Sequence, residues 1–186
     1  MTLRVVPIGV AAARLHIETH HSHHHAPCGG LLAAAVADGD RVCCVALLGR
    51  PVARMLDQRG NVAEITRVAS DGTKHAASMA IAAVTRAALA LGWRRIVSYT
   101  LLGEAGTSYR AAGWRVTGLV EASQGWHSRA GRTIAQGGGK VRWETGPDAL
   151  PEDPAAVATM VAAVGVAVVP ARPENPPLPE GRRGTA

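Results

Sequence analysis

The sequence predicts an α/β (α+β) fold, a mixed sheet covered by helices in a single domain that ends in a tail. Three observations carry this. Strand-length apolar runs alternate with stretches of helical periodicity in the order β, α, β-hairpin, β, α, β, α, β, and such alternation builds a sheet with helices packed on it. At 186 residues and 47% hydrophobic content, the chain can bury one core of ordinary size. The end, "PARPENPPLPEGRRGTA", is dense in Pro, Gly and charge and is expected to stay disordered.

Each element has its own signal. "LRVVPI" reads as a short strand, and "GVAAARLHIETHH" spaces its apolar residues as a helix does. "LLAAAVADGDRVCCVALLGRP" is a hairpin, because two apolar runs flank Asp38-Gly39-Asp40, a turn that tolerates positive φ. "PVARMLDQRG" is a short helix or turn with Pro51 at its first position. "NVAEITRVAS" is rich in β-branched residues and forms a strand, while "ASMAIAAVTRAALALG" is an Ala- and Leu-rich helix that Gly92 ends. Then come the strand "WRRIVSYTL", the short helix "GTSYRAAGW" stopped by Gly113, the strand "WRVTGLVEA" and a last strand, "GGGKVRWE". "TGPDALPEDP" reads as a linker. The run Ala155–Val169 is shorter than the roughly 18 residues that suggest a membrane span and reads as a packed or partner-facing helix. The expected division is residues 1–145 as the domain and 146–186 as linker, short apolar helix and Pro/Gly-rich tail, with a core that survives deletion of everything after about Thr145.

Composition narrows the partners. Aromatics are 3% with no Phe, so Ala, Val, Leu and Ile must fill the core around four Trp anchors. A net charge of +6 and a pI of about 10.0 favour an anionic partner: nucleic acid, a phosphorylated cofactor or an anionic small molecule. The three cysteines form no CxxC pair; Cys43 and Cys44 are expected on opposite faces of one strand, as reduced thiols acting as small apolar residues. Met1–Ile8 carries no signal-peptide pattern, and a soluble cytoplasmic protein without membrane contact is expected.

Three segments carry candidate chemistry. In "VASDGTKHAASMAI" a loop of small residues joins a strand to a helix, and unpaired N–H groups at a helix start, with the macrodipole behind them, suit phosphate. Thr73–Ser78 would be that cradle, with Lys74 and His75 adding positive charge; the alternative is a plain helix capped by Asp71 or Thr73. In "HIETHHSHHHAPCGG", His16, His20 and His24 recur every four residues, with His21, His23, His25 and Cys28 nearby. Nothing there fixes a coordination geometry, so no metal is assigned. "QGWHSRAGRTIAQGGGKVRWE" mixes Trp126, His127, Arg129, Arg132 and Lys140, which suits stacking on a base and pairing with phosphates, or a basic loop with Trp126 capping the sheet.

The element order, with "VASDGTKHAASMAI" and "SYRAAGW", resembles the GNAT superfamily of acyl-coenzyme A dependent N-acyltransferases over about residues 3–145. That resemblance implies a mostly antiparallel central sheet and acetyl-CoA or another acyl-CoA as cofactor, held by Val68, Ala69, Thr73, Lys74, His75, Ala76, Ala77 and Ser78. It also implies that Tyr109 protonates the departing thiolate and that Glu64 takes the amine proton, in a direct transfer without a protein nucleophile. Thr73, Ala76 and Ser78 depart from the Arg or Gln and the later glycines usual in that loop. For Tyr109 the alternative is a half-buried packing residue, and for Glu64 a surface carboxylate paired with Arg67 or Arg86; Glu104 is a second carboxylate candidate.

"RPVAR", "EITRVASDGT", "SYTL", "AAGW" and "GWHSRAGR" further resemble a group of GNAT-like proteins of phages, plasmids and bacterial genomes, itself similar to Mom-type phage proteins that modify adenine in DNA. An amine acceptor is thereby implied, a nucleobase amine of DNA among the options, met by His20, His24, Glu104, Trp126 and Arg129. A flipped base would need such a platform. The second function class is a nucleic-acid-binding module on a degenerate acyltransferase scaffold; the loop's departures favour it, and retention of Tyr109 favours the enzyme.

Overall fold

The computed structural model describes residues 2–20, 27, 29–57, 61–121 and 139–165. Its strands are β1 (Leu3–Pro7), β2 (Leu32–Asp38), β3 (Arg41–Gly49), β4 (Val62–Ser70), β5 (Arg95–Leu101), β6 (Arg115–Val120) and β7 (Lys140–Thr145). Its helices are α1 (Val10–His20), α2 (Ala76–Ala90), α3 (Thr107–Ala111) and α4 (Pro154–Val164). The strands form one sheet in the order β1-β2-β3-β4-β5-β7-β6. Every neighbouring pair is antiparallel except β4 and β5, which run parallel because α2 crosses over between them. This is the mixed, mostly antiparallel sheet with flanking helices that the sequence predicts.

Each face of the sheet has a core. On one, Ala80, Ile81 and Val84 of α2 pack with Ala63, Ile65, Trp114, Trp143 and Met160. On the other, Ala13 and Ile17 of α1 pack on Ala35, Val45, Leu47 and Ala69. Trp114 and Trp143 are the largest fully buried side chains, which is how a chain without Phe supplies bulk to an Ala-rich interior.

Bulges correct one expectation. Val36 pairs with Cys44 and Ala37 with Val42, so Cys43 is the extra residue of a β-bulge in β3. Cys43 and Cys44 therefore both enter the α2-side core, where simple alternation puts them on opposite faces. Burial pushes the Cys44 thiol up to about 12, so it carries no thiolate near neutral pH.

The segment after β7 is packed rather than detached. Asp153 caps α4 by accepting from the N–H groups of Ala155 (3.0 Å) and Ala156 (3.1 Å), with Pro154 inside the first turn. Its own N–H donates to Val116 O at 2.8 Å, and α4 buries Ala156 and Met160 against β6. Upstream, Arg94 grips Asp148 through Nε and Nη2, both at 2.8 Å. Residues 146–164 thus share the core of residues 3–145, where the sequence reading sets them apart as linker and helix.

Candidate active site

The sheet opens where its one parallel pair ends. β5 pairs with β7 from Ile96 to Leu101, but with β4 only over Val62–Glu64. Beyond Glu64 and Val97 the two strands part, and β4 continues to Ser70 with a partner on the β3 side only. A second bulge begins at the same level: Leu48 pairs with Ile65 and Leu47 with Arg67, leaving Thr66 as the extra residue. The bulge reverses which positions face which core. Ala63 and Ile65 face α2 before it and Val68 after it, while Ala69 packs on α1.

A hydrogen-bonded chain closes the apex of this opening. Ser98, buried on β5, donates through Oγ to Ile65 O at 2.9 Å. A serine has one proton to give, so the 2.6 Å contact between Ser98 Oγ and Tyr109 Oη has the tyrosine as donor. Tyr109 sits in α3, stacks on Trp143 (centroids 5.7 Å apart, 20° between planes) and meets Trp114 edge-on (5.3 Å, 69°). It is only 8% exposed. Burial pushes its phenol up to about 12 against the opposing pull of the Ser98 hydrogen bond, so it holds its proton at neutral pH.

Above the opening, the loop from β4 to α2 leaves main-chain donors free. The Thr73 N–H bonds Asp71 Oδ1 at 2.9 Å and the Ala76 N–H bonds Thr73 O at 3.1 Å. The Ala76 side chain is fully buried. These two residues of the expected cradle are therefore occupied. The N–H groups of Lys74, His75, Ala77 and Ser78 have no acceptor among the described residues. His75 holds φ at 69°, the only non-Gly residue described with positive φ, and caps the helix without using its side chain. Such a conformation costs about 1–3 kcal/mol and persists only where the surrounding structure fixes it. Asp71 serves the preceding turn and pairs with Arg41.

Glu64 lies on the α1 face of the sheet, between two residues that face α2, and it is buried. This replaces the surface pair with Arg67 or Arg86. The Val52 N–H donates to its Oε2 at 2.8 Å. Burial raises its pKa above the ordinary carboxylate value, opposed by that N–H and by the charges of Lys140 and Arg67. Glu144, also fully buried on this face, is a different case. Arg95 binds it at 2.6 and 2.8 Å, Arg142 approaches to 3.1 Å, and the Leu150 N–H donates at 3.0 Å. Burial pushes Glu144 up, but these partners outweigh it and hold its pKa below the usual value. With its oxygens so engaged it braces β5 against β7 and offers no base.

The other candidates are scattered. Val68 is partly buried against the α2-side core, and Ala69 turns its methyl to α1, so Ala69 can offer only backbone to the opening. Lys74 and His75 are exposed. Glu104 is exposed in the turn after β5 and accepts from the Leu101 N–H at 2.9 Å. His20 ends α1 and stacks on His16 with centroids 4.2 Å apart. Burial, then the neighbouring His20, lowers the pKa of His16. Among the described residues no group of three His, Cys, Asp or Glu side chains is placed to share a metal ion. His24, Trp126 and Arg129 lie outside the described residues. Sequence reasoning missed Ser98; its signal was a small hydroxyl residue two positions after Ile96, on the face that strand alternation turns to the core.

This architecture is that of the GNAT acetyltransferases. A GNAT superfamily phosphinothricin acetyltransferase from Sinorhizobium meliloti, solved with acetyl-CoA, superposes with a TM-score of 0.56 at 13% identity, over 78% of this chain and 89% of that one. An N-acetyltransferase from Staphylococcus aureus gives 0.55 at 11% identity, over 80% and 100%. A Bacillus subtilis acetyltransferase in complex with CoA gives 0.52 at 15%, over 77% and 97%. No protein-family model matches the chain, and no curated protein matches it. Likeness at these identities establishes a shared GNAT fold, and the chemistry has to be argued from this chain's own residues.

Proposed function

We propose that this protein is an acyl-CoA dependent N-acyltransferase. The observation that carries the reading is the pairing of a sheet opening between β4 and β5 with four unpartnered N–H groups at the start of α2. Unpaired donors at a helix N-terminus with its dipole behind them suit a diphosphate. The N–H groups of Lys74, His75, Ala77 and Ser78 would hold it, with the Lys74 ammonium beside them, and the free edges of β4 and β5 would take the extended arm. Acyl-CoA supplies an activated acyl thioester.

This chain's residues then manage two protons. Glu64 accepts one from the acceptor amine as its N–C bond forms. Tyr109 donates one to the sulfur as the C–S bond breaks, and solvent returns a proton to the phenolate while Glu64 releases its own, so the count closes. The two residues lie on opposite faces of the sheet, which keeps base and acid apart. The base works only when ionised, so kcat/KM is expected to fall as pH drops through the raised pKa of Glu64. Glu64→Gln, uncharged at every pH, lacks that limb; a pH-rate profile for the two proteins checks it.

The acceptor in this reading is an amine, and the nucleobase amine implied by the sequence resemblance is its finer form, supported by the net charge of +6. Two measurements test the whole. Acetyl-CoA at a hundredfold excess over its Kd should stabilise the fold by roughly 2–3 kcal/mol in a thermal melt. Absence of any shift would turn the reading to a nucleic-acid-binding module on this scaffold, which a salt-sensitive mobility shift with DNA would then support. Ser78→Asp places a carboxylate in the first turn of α2, where it favours the helix but repels phosphate. We expect acetyl-CoA affinity to fall about tenfold or more with melting unchanged or slightly improved; unaltered affinity would move the cofactor away from this loop.

A further inference from the structure

The Ser98 hydroxyl has a position that neither the fold nor the resemblance explains. The last parallel pair is Glu64 with Val97, so Ile65 and Ser98 stand where the next one would form. In its place the Ser98 side chain donates to Ile65 O at 2.9 Å. That bond removes one free carbonyl from the opening and fixes where the opening begins. The same oxygen then receives the Tyr109 hydroxyl at 2.6 Å.

We infer that Ser98 is a positioning residue: it anchors the apex of the β4–β5 opening and, by accepting from the Tyr109 hydroxyl, holds the phenol oxygen and its proton at that apex. The use of that proton in acyl transfer rests on the function proposed above; the orientation does not. Geometry supports the assignment in two ways. Ser98 has a single proton, and while that proton is given to Ile65 O the serine accepts from Tyr109. Tyr109 is otherwise surrounded by the faces and edges of Trp143 and Trp114, which guide its ring and offer its hydroxyl no strong acceptor. A phenolate left after proton release would need a donor, and Ser98 can supply one by rotating its O–H away from Ile65.

The chain has two tyrosines, so Tyr99→Phe leaves Tyr109 alone for spectroscopy. In that background the Tyr109 hydroxyl proton, held in a short hydrogen bond, should resonate downfield by NMR. Ser98→Ala should move it upfield, and Ser98→Cys, nearly isosteric but a weak partner, should do the same if the alanine variant folds poorly. An unmoved signal in a folded variant overturns the inference. A second arm uses turnover with acetyl-CoA and an amine. Ser98→Ala alone should lower kcat roughly tenfold, about the worth of one net hydrogen bond, with KM for acetyl-CoA nearly constant. Added to Tyr109→Phe it should lower kcat no further, because its contribution passes through the phenol. Equal losses in both backgrounds would make Ser98 a packing residue and overturn the assignment. If no variant, wild type included, binds or turns over acetyl-CoA, the acyltransferase reading fails while the NMR result still decides the orientation.

Discussion

Tyr109→Phe is expected to lower kcat about a hundredfold while leaving acetyl-CoA affinity within about twofold, the pattern of a lost proton donor. The substitution is clean for physical reasons. Phe keeps the stacking on Trp143 and the edge contact with Trp114, so the ring stays where it is. Ser98 keeps its bond to Ile65 O and loses only the proton it received, which costs at most about 1–2 kcal/mol of stability. A packing role therefore predicts a nearly silent mutation in turnover, and a proton-donor role a large loss. Steady-state kinetics alongside isothermal titration with acetyl-CoA separates the two. Wild-type turnover in the variant would remove Tyr109 as the acid and leave the phenol as the capped end of an aromatic cluster.

Much of the fold can be read from the chain because local signals agree. The β2–β3 hairpin follows from Asp38-Gly39-Asp40, where Gly39 adopts φ of 60°, and α2 follows from its Ala and Leu content and its Gly92 stop. What stays hidden is set by pairing between distant strands. The parting of β4 from β5 depends on β5 keeping β7 as its partner, and no residue in "NVAEITRVAS" announces it. The bulges at Cys43 and Thr66 are invisible for the same reason, since each is a mismatch in count between two strands. They decide much at the candidate site: the Thr66 bulge turns Val68 to one core and Ala69 to the other.

The loop shows the limit from the other side. A stretch of small residues before a helix points to a corner with free N–H groups, yet which of them are free depends on the Asx turn of Asp71. That turn consumes the Thr73 donor and moves the open set to Lys74, His75, Ala77 and Ser78. The resemblance counts Ala76 among the residues that hold the cofactor, and in the structure its methyl is part of the core. An Ala76→Asp variant would bury a charge, so any lost binding could be lost folding, and Ser78→Asp is the better probe.

The second large effect concerns α4. A chain ending after Thr145 is expected to lose cooperative melting, contrary to the sequence reading that the core survives this cut. Met160 is wholly buried beside Ala156, with Val157 and Val164 packed around them. Truncating a buried methionine side chain alone typically costs about 2–5 kcal/mol, a large share of the 5–15 kcal/mol that holds an ordinary domain folded. The cut also strips Val116 O of the Asp153 N–H, frees Arg94 from Asp148 and removes the Leu150 N–H from Glu144. Of these the last matters most, because Glu144 is a fully buried carboxylate whose charge is tolerable only while its partners remain. Met160→Ala is the graded version: a cooperative urea transition with its midpoint moved down by the equivalent of about 2–5 kcal/mol. A truncated chain that melts sharply at the full-length temperature would mean that β6 and β7 close their own core, and that α4 only covers it.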